Sequence, residues 1–432
     1  MVPVTWRDLA RQIVELDSAA IAPETVIAAK YVFLDWLGCA IAGAQDEVNP
    51  RRDLDLAGLA GGRSEATLIG SNRRTALYYA ALANGIVGRT LCLFDTIGTA
   101  GMVVSAAVVP ASLSLSEKHG RSGLHFLTAI VAGYEVATYL ERNRSKPTCA
   151  TCSNGLIESC AAAAASARIL GLNADATANA LAMAWSQPVA PPALNGVLSA
   201  CAAVGKAAYH WAVPYGGDAT CNDVIEVPSN GCLAWSALRS RNVRLHAADI
   251  NTHAAIDAAL ELKVAYRLHP EDIEAIEVYV SSQAIADTAS GDPGTVQSLR
   301  QNIPYCLALV FLRGRLGPGE LSLQNLLKAP VGWLMSNTTV HSDKRFSDGL
   351  SGLRGARVVV RTRYGSTCER TVLNPRGLVE NPVSPREIEA KFECLTTPVL
   401  SAEISSMLSR RVLALDDLAN INGLFVGVPE ST

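Results

Sequence analysis

Few residues in this chain have both the type and the spacing to do chemistry. Cys149-Ala150-Thr151-Cys152, followed by Cys160, has the CxxC spacing that can hold zinc or exchange disulfides. No second CxxC or paired-histidine motif follows it and no βαβ pattern surrounds it, which favours ordinary thiols over a metal or redox centre. His246 and His253 follow Arg244 closely and could shuttle a proton beside a cation, although a structural histidine is the commoner outcome for each. His119, His125 and His341 stand in polar, turn-like surroundings that suit exposure. Lys206 and His210 lie on a small-residue helix and could grip a carboxylate; a lysine reaching from the helix edge into water explains the pattern equally well. The chain has no P-loop, no GxGxxG after a strand, no GxSxG and no HExxH, so the strong phosphate, dinucleotide, hydrolase and zincin signals are missing. Dependence on a nucleotide is therefore not expected.

The elements that must position these groups are mainly helical. A chain of 432 residues that is 49% hydrophobic can bury a large core and form two domains. Lys and Arg total 37 against 40 Asp and Glu, so no global field draws the protein to nucleic acid or an anionic membrane, and a small-molecule partner is expected instead. The start lacks a signal-peptide layout, Glu135 breaks the apolar run from Phe126 to Leu140, and eleven scattered cysteines suit a reducing compartment. A soluble, cytoplasmic protein is the expectation. Apolar residues at three- and four-residue spacing predict helices from Pro23 to Gly43, Thr75 to Ala83, Val104 to Lys118, Leu124 to Leu140, Ile157 to Leu170 and Ala174 to Trp185. The Cys160-to-Ala165 run is so small that backbones can approach closely there, and it should be buried. After residue 240 the texture changes. Ile273 to Val280 and Arg357 to Thr362 alternate by two, Tyr364-Gly365 reads as a turn, and His253 to Leu262 and Tyr305 to Leu312 look helical. The fold class is mainly α: a large all-helical domain, residues 1–239 and 385–432, interrupted by a smaller α+β domain, residues 240–384.

Phrases spread along the chain resemble the MmgE/PrpD family of 2-methylcitrate dehydratases, cis-aconitate decarboxylases and related epimerases. They are Leu34-Asp35-Trp36-Leu37-Gly38, Ala83-Asn84-Gly85, the Ala-rich run to Leu172, His253-Ala254-Ala255-Ile256-Asp257-Ala258, His269-Pro270-Glu271-Asp272-Ile273, Ile303-Pro304-Tyr305, Asn381-Pro382-Val383-Ser384 and Lys391-Phe392. Their joint order is more specific than any one of them. The resemblance implies a homodimer, with the α+β domain acting as a lid and the active site in a cleft beneath it. It also implies cofactor-free chemistry in which a proton or a carboxylate leaves a di- or tricarboxylic acid.

The chain departs from that pattern where the chemistry lies. The family's H-x-L-D-F-D-D-T run is here Arg89-Thr90-Leu91-Cys92-Leu93-Phe94-Asp95-Thr96, which puts Cys92 at the first aspartate and keeps Asp95 and Thr96. The histidines of two later phrases fall at Met102 and Thr151, and a lysine falls near Cys201. A lid lysine becomes Arg244, and Tyr305 is retained. Replacing a proton-transferring histidine costs roughly 10²–10⁴-fold in rate. By this resemblance the catalytic candidates are Tyr305 as proton donor or acceptor, Cys92, Asp95 and Thr96. Cys92 would need a cation such as Arg89 to lower its pKa. Arg244, Lys206, Met102, Thr151, Cys201 and His253 would surround the substrate. Three readings stay open: a diverged lyase or isomerase acting on a carboxylated or carbonyl metabolite, a cyclase or isomerase that shapes a less charged intermediate, and a catalytically silent binding homologue.

Overall fold

The computed structural model describes residues 5–46, 62–71, 73–98, 101–143, 150–186, 233, 235–288, 295–346 and 354–428. In chain order the principal elements begin with α1 (Trp6–Glu15), α2 (Pro23–Gly43), α3 (Leu77–Thr90), α4 (Ser105–His119), α5 (Gly123–Asn143), α6 (Ala150–Leu170) and α7 (Ala174–Ser186). Next come α8 (Ile250–Ala265), β1 (Ile273–Val280), α9 (Ile303–Arg313), β2 (Thr338–Ser342), β3 (Ala356–Thr362) and β4 (Thr367–Val372), and then α10 (Pro385–Thr396) and α11 (Ala402–Leu413). The protein is mainly α with a smaller α+β part. It divides into two compact units. Unit 1 comprises residues 1–90, 94–241 and 384–432, and unit 2 comprises 91–93 and 242–383.

Helix α2 is the hub of unit 1. Pro23 opens it, with a φ already suited to a helix and no N–H to leave unsatisfied. Val32, Phe33, Leu34, Trp36 and Leu37 are fully buried, and the Phe33 ring meets Phe126 of α5 edge-on at 4.9 Å. Each such side chain contributes on the order of 1.5–3 kcal/mol by leaving water. By length and composition α2 could cross a membrane, but two thirds of its apolar window is covered by the rest of the unit, as in a core helix.

The run Cys160–Ala165 on α6 is wholly buried. A Cβ on Gly133 of α5 would lie 2.7 Å from Val108 of α4 and 3.0 Å from the Ala161 carbonyl, so three helices meet where their side chains are smallest. Helix α4 ends at Gly120, whose φ of 58° supplies the left-handed cap.

In unit 2 the strands lie in the order β2-β1-β3-β4. β1 pairs with β2 in parallel and with β3 antiparallel, and β3 with β4 antiparallel. Val358 and Val360 point inward while Arg361 is exposed, the alternation expected of a sheet with one face covered. Strand β1 departs from strict alternation. Its register against β3 shifts between Ile273 and Ala275, so Glu274 bulges out and Ile273 and Ile276, three residues apart, are both buried.

Candidate active site

The polar heart of unit 1 forms where the segment after α3 meets α4 and α5. Ile97 and Met102 bridge each other, with N–H···O bonds of 2.9 and 3.0 Å in the two directions, and this tight return fixes Asp95 and Thr96 just ahead of it. Both side chains are buried. The Tyr134 hydroxyl, from the middle of α5, donates a hydrogen bond to Asp95 Oδ2. Burial pushes the Asp95 carboxyl above its ordinary range, against the opposing effects of the Arg241 charge and the Ser105 and Tyr134 hydroxyls, while Asp35 adds to the rise. Burial and the neighbouring Asp95 hold the Tyr134 phenol well above its ordinary value, so it stays a donor.

Several buried atoms here have no hydrogen-bond partner: Asp95 Oδ1, Thr96 Oγ1, and Nε and Nη2 of Arg241. Buried polar groups are nearly always satisfied, so a carboxylate oxygen, a hydroxyl and a guanidinium left open together suit a polar, anionic guest.

A buried ion pair lies within electrostatic reach of Asp95. Lys391 of α10 meets Asp35 of α2 at 2.6 Å, with 7% and 1% of their side chains exposed. Burial alone would lower the Lys391 pKa, but the charges of Asp35, Cys39 and Asp95 outweigh it and the ammonium is held above its ordinary value. Burial pushes the nearby Cys39 thiol up to about 12, leaving it un-ionised. A third buried carboxylate, Glu158 of α6, accepts from Arg89 Nη1 at 2.9 Å and from the Val103 N–H at 3.2 Å. Its pKa is raised by burial, against Arg89 and Val103.

The residues singled out from the sequence fare unequally. Asp95, Thr96 and Met102 come together, Met102 as part of the hydrophobic core. Arg89, the cation meant to activate Cys92, is committed to Glu158; Cys92 itself is buried in a left-handed backbone conformation, φ 56°, that few non-glycine residues adopt. Cys201, Lys206, His210, Cys149 and the side chains of Thr151 and Cys152 lie outside the described residues.

Arg244, His253 and Tyr305 belong to unit 2 and are buried there. The Tyr305 hydroxyl donates to the Ser322 carbonyl at 2.8 Å and accepts from the Ser322 N–H at 3.3 Å, so both its roles are taken by backbone. His253 touches the Ala248 carbonyl at 3.2 Å, and burial, with His246 and Arg244 nearby, holds its pKa well below the ordinary value, leaving it neutral. His246 meets Asp257 at 2.7 Å, and Asp257 also accepts from the Arg376 N–H, a structural tie. Asn84, of the Ala-Asn-Gly phrase, bonds the backbone of Thr67 and Ile69.

Arg241, Tyr134 and Glu158 were not singled out from the sequence. The one local signal was the presence of Tyr134 and Glu158 in otherwise apolar, small-residue helices. Among the described residues no three His, Cys, Asp or Glu are grouped to hold a metal.

The chain is 26% identical to the cis-aconitate decarboxylase-like protein oryM of Aspergillus oryzae (strain ATCC 42149 / RIB 40), over 96% of this chain and 95% of that protein. Residues 7–209 match the MmgE/PrpD N-terminal domain and residues 246–417 the MmgE/PrpD C-terminal domain, so most of the sequence is accounted for, and the chain belongs to the MmgE/PrpD family.

Proposed function

We propose that the protein is a diverged enzyme of this family, a lyase or isomerase that acts by proton transfer on a small carboxylated metabolite. The observation that carries this reading is the open set in unit 1: a buried carboxylate with one unpartnered oxygen, beside a guanidinium with two unpartnered nitrogens. Arg241 would take a substrate carboxylate, the charge-assisted pairing for which a guanidinium is suited. Asp95 Oδ1 would remove a proton from the adjacent carbon, and the negative charge that develops would spread into the bound carboxylate, where Arg241 stabilises it. Where the neighbouring carbon carries a hydroxyl, that group leaves and takes the proton from Asp95 to become water, which makes this a lyase; where the carbanion turns in the site and Asp95 returns the proton to its other face, the enzyme is an isomerase. Alternatively a second substrate carboxylate leaves as carbon dioxide, the electrons of the broken carbon–carbon bond spread into the carboxylate held by Arg241, and Asp95, protonated beforehand, delivers its proton to that carbon. A raised carboxyl pKa suits such a group, because it brings proton affinity closer to the working pH. The relative's description as cis-aconitate decarboxylase-like supports a tricarboxylic acid as the first substrate to test. The buried thiols support a reducing, cytoplasmic setting.

The test is to incubate the purified protein with cis-aconitate and a panel of citrate-like di- and tricarboxylates in heavy water, following loss of CO₂, loss of water and deuterium uptake by NMR. One or more acids should react. Asp95→Asn should lower the rate roughly 10²–10⁴-fold. Arg241→Met should act mainly on KM. No turnover with any acid, or full activity in Asp95→Asn, would overturn the reading.

A further inference from the structure

We propose that Tyr134 is a positioning residue for Asp95: its phenol, donating to Oδ2, pins that oxygen and leaves Oδ1 as the one atom of the carboxylate open to a proton. This rests on Asp95 being the proton-transferring group. The geometry carries it. A carboxylate has two equivalent oxygens and can turn about its last torsion, which blurs the direction in which it takes a proton. Here one oxygen is held by a buried hydroxyl and the other has no partner.

The donor cannot drift, because Tyr134 is fully buried mid-helix on α5, and Gly133 beside it is pressed between Val108 of α4 and the Ala161 carbonyl of α6. Packing gives no reason for the hydroxyl. A phenylalanine would fill almost the same space, and a carboxylate and phenol together are a costlier core than two apolar side chains. A polar pair retained at such a place is better explained by use than by stability.

The groups that act on Asp95 come from every side. Tyr134 belongs to α5, Ser105 to the first turn of α4, Asp35 and Cys39 to α2 and Lys391 to α10, and Arg241 lies at the end of unit 1's second segment. Asp35 raises the Asp95 pKa, and its partner Lys391 is itself held up in part by the Asp95 charge. Ser105 and Tyr134 supply the neutral hydroxyls among them and both lower the Asp95 pKa, but Tyr134 is the one whose hydroxyl is hydrogen-bonded to Oδ2. Its hydrogen bond favours the ionised carboxylate, so Tyr134→Phe should make Asp95 hold its proton to higher pH.

The experiment reads Asp95 in two ways. Carboxyl infrared difference spectra of wild type and Tyr134→Phe, assigned by the band that Asp95→Asn removes, give the pH midpoint of Asp95 without any substrate. Rate–pH profiles with whichever acid the panel identifies give the same midpoint in turnover. The expected result is an upward shift of both midpoints and a roughly ten- to hundredfold loss of kcat on the acid side, the size of a hydrogen bond to a charged group. An unmoved Asp95 band overturns the proposal. A moved band without turnover of any acid keeps the positioning role and refutes the proposed reaction instead. Should Tyr134→Phe fail to fold, 3-fluorotyrosine placed at position 134 serves: its fluorine shift should titrate with Asp95 and stop doing so in Asp95→Asn, and a shift that ignores Asp95 overturns the proposal.

Discussion

Asp95 is a carboxylate kept where ionisation is expensive, and that sets how stability must vary with pH. Its pKa is higher folded than unfolded, chiefly through burial. As pH rises, the unfolded chain therefore releases this proton first, and the stability present below the unfolded pKa is lost as pH climbs through the folded one. Asparagine has no proton to release. Asp95→Asn should accordingly gain Tm relative to wild type as the pH is raised from 4 to 8, by a few degrees, while losing activity; calorimetry over that range giving a flat or opposite trend would refute the burial account. The Asp35–Lys391 pair makes the complementary case. Lys391→Met strands Asp35 in the core and should destabilise by about 3–5 kcal/mol, whereas Asp35→Asn with Lys391→Met should recover most of the loss. Urea titrations in which the double variant is no better than the single would disprove the pairing. Little of this was legible in the sequence. Asp95 and Thr96 stand in a run that resembles the family's, but Tyr134 lies 39 positions from Asp95 and Lys391 lies 356 from Asp35. Only the packing of α5 and α10 brings them in. Arg89 beside Cys92 suggested a thiolate by mere adjacency, and the helix instead turns that guanidinium to Glu158.

At the scale of elements, α2 and α3 approach each other closely. A Cβ on Gly43 would sit 2.2 Å from the Val87 carbonyl oxygen, and one on Gly88 would sit 2.3 Å from the Trp36 indole nitrogen. Either helix would have to move, and neither has slack, since Trp36 is fully buried and Gly88 precedes the arginine that binds Glu158. Alanine at Gly88 should cost about 1–3 kcal/mol, more than its gain in helix propensity returns. Denaturation showing Gly88→Ala as stable as wild type would mean that the two helices do not meet this closely. Periodicity made most of these helices legible, because their buried faces repeat every three to four residues; their ends were not. α6 starts at Ala150, seven residues before the apolar spacing begins at Ile157. α8 starts at Ile250 because the Asp249 side chain caps it, accepting from the Asn251 N–H at 2.9 Å, whereas the apolar pattern alone began at His253. The β1 bulge was equally hidden, since Ile273, Ala275 and Glu277 satisfy a simple alternation until the pairing with β3 is known.

For the whole molecule, the decisive fact is that unit 1 is made of separated stretches of chain. The polypeptide leaves it after Arg241 and returns at Ser384, and the returning segment is structural rather than an appendage. Phe392 packs on Gly38 at 3.1 Å from where a Cβ would stand, Glu389 accepts from the Tyr31 hydroxyl at 2.7 Å, and Asp416 pairs with Lys30 at 2.5 Å. With the Lys391–Asp35 pair, all of these meet α2, the helix around which the unit is built. The mainly α class and the family resemblance were both readable from the chain, because helical spacing and ordered phrases survive in one dimension; that α2 depends on residues some 350 positions later does not. A chain ended at Val383 should therefore lose more than its last two helices. It would expose the face of α2 that α10 covers and leave Asp35 buried without its cation, which together exceed the marginal stability of an ordinary domain. Unit 2 keeps its strands, whose ladder runs only among residues 273–372. Hydrogen exchange on the truncated protein should show α2, α3 and α5 unprotected while β1 and β3 stay protected, and a peptide of residues 384–432 supplied in trans should restore protection in α2. Full protection of α2 in the truncated chain would show that the hub stands without the returning segment.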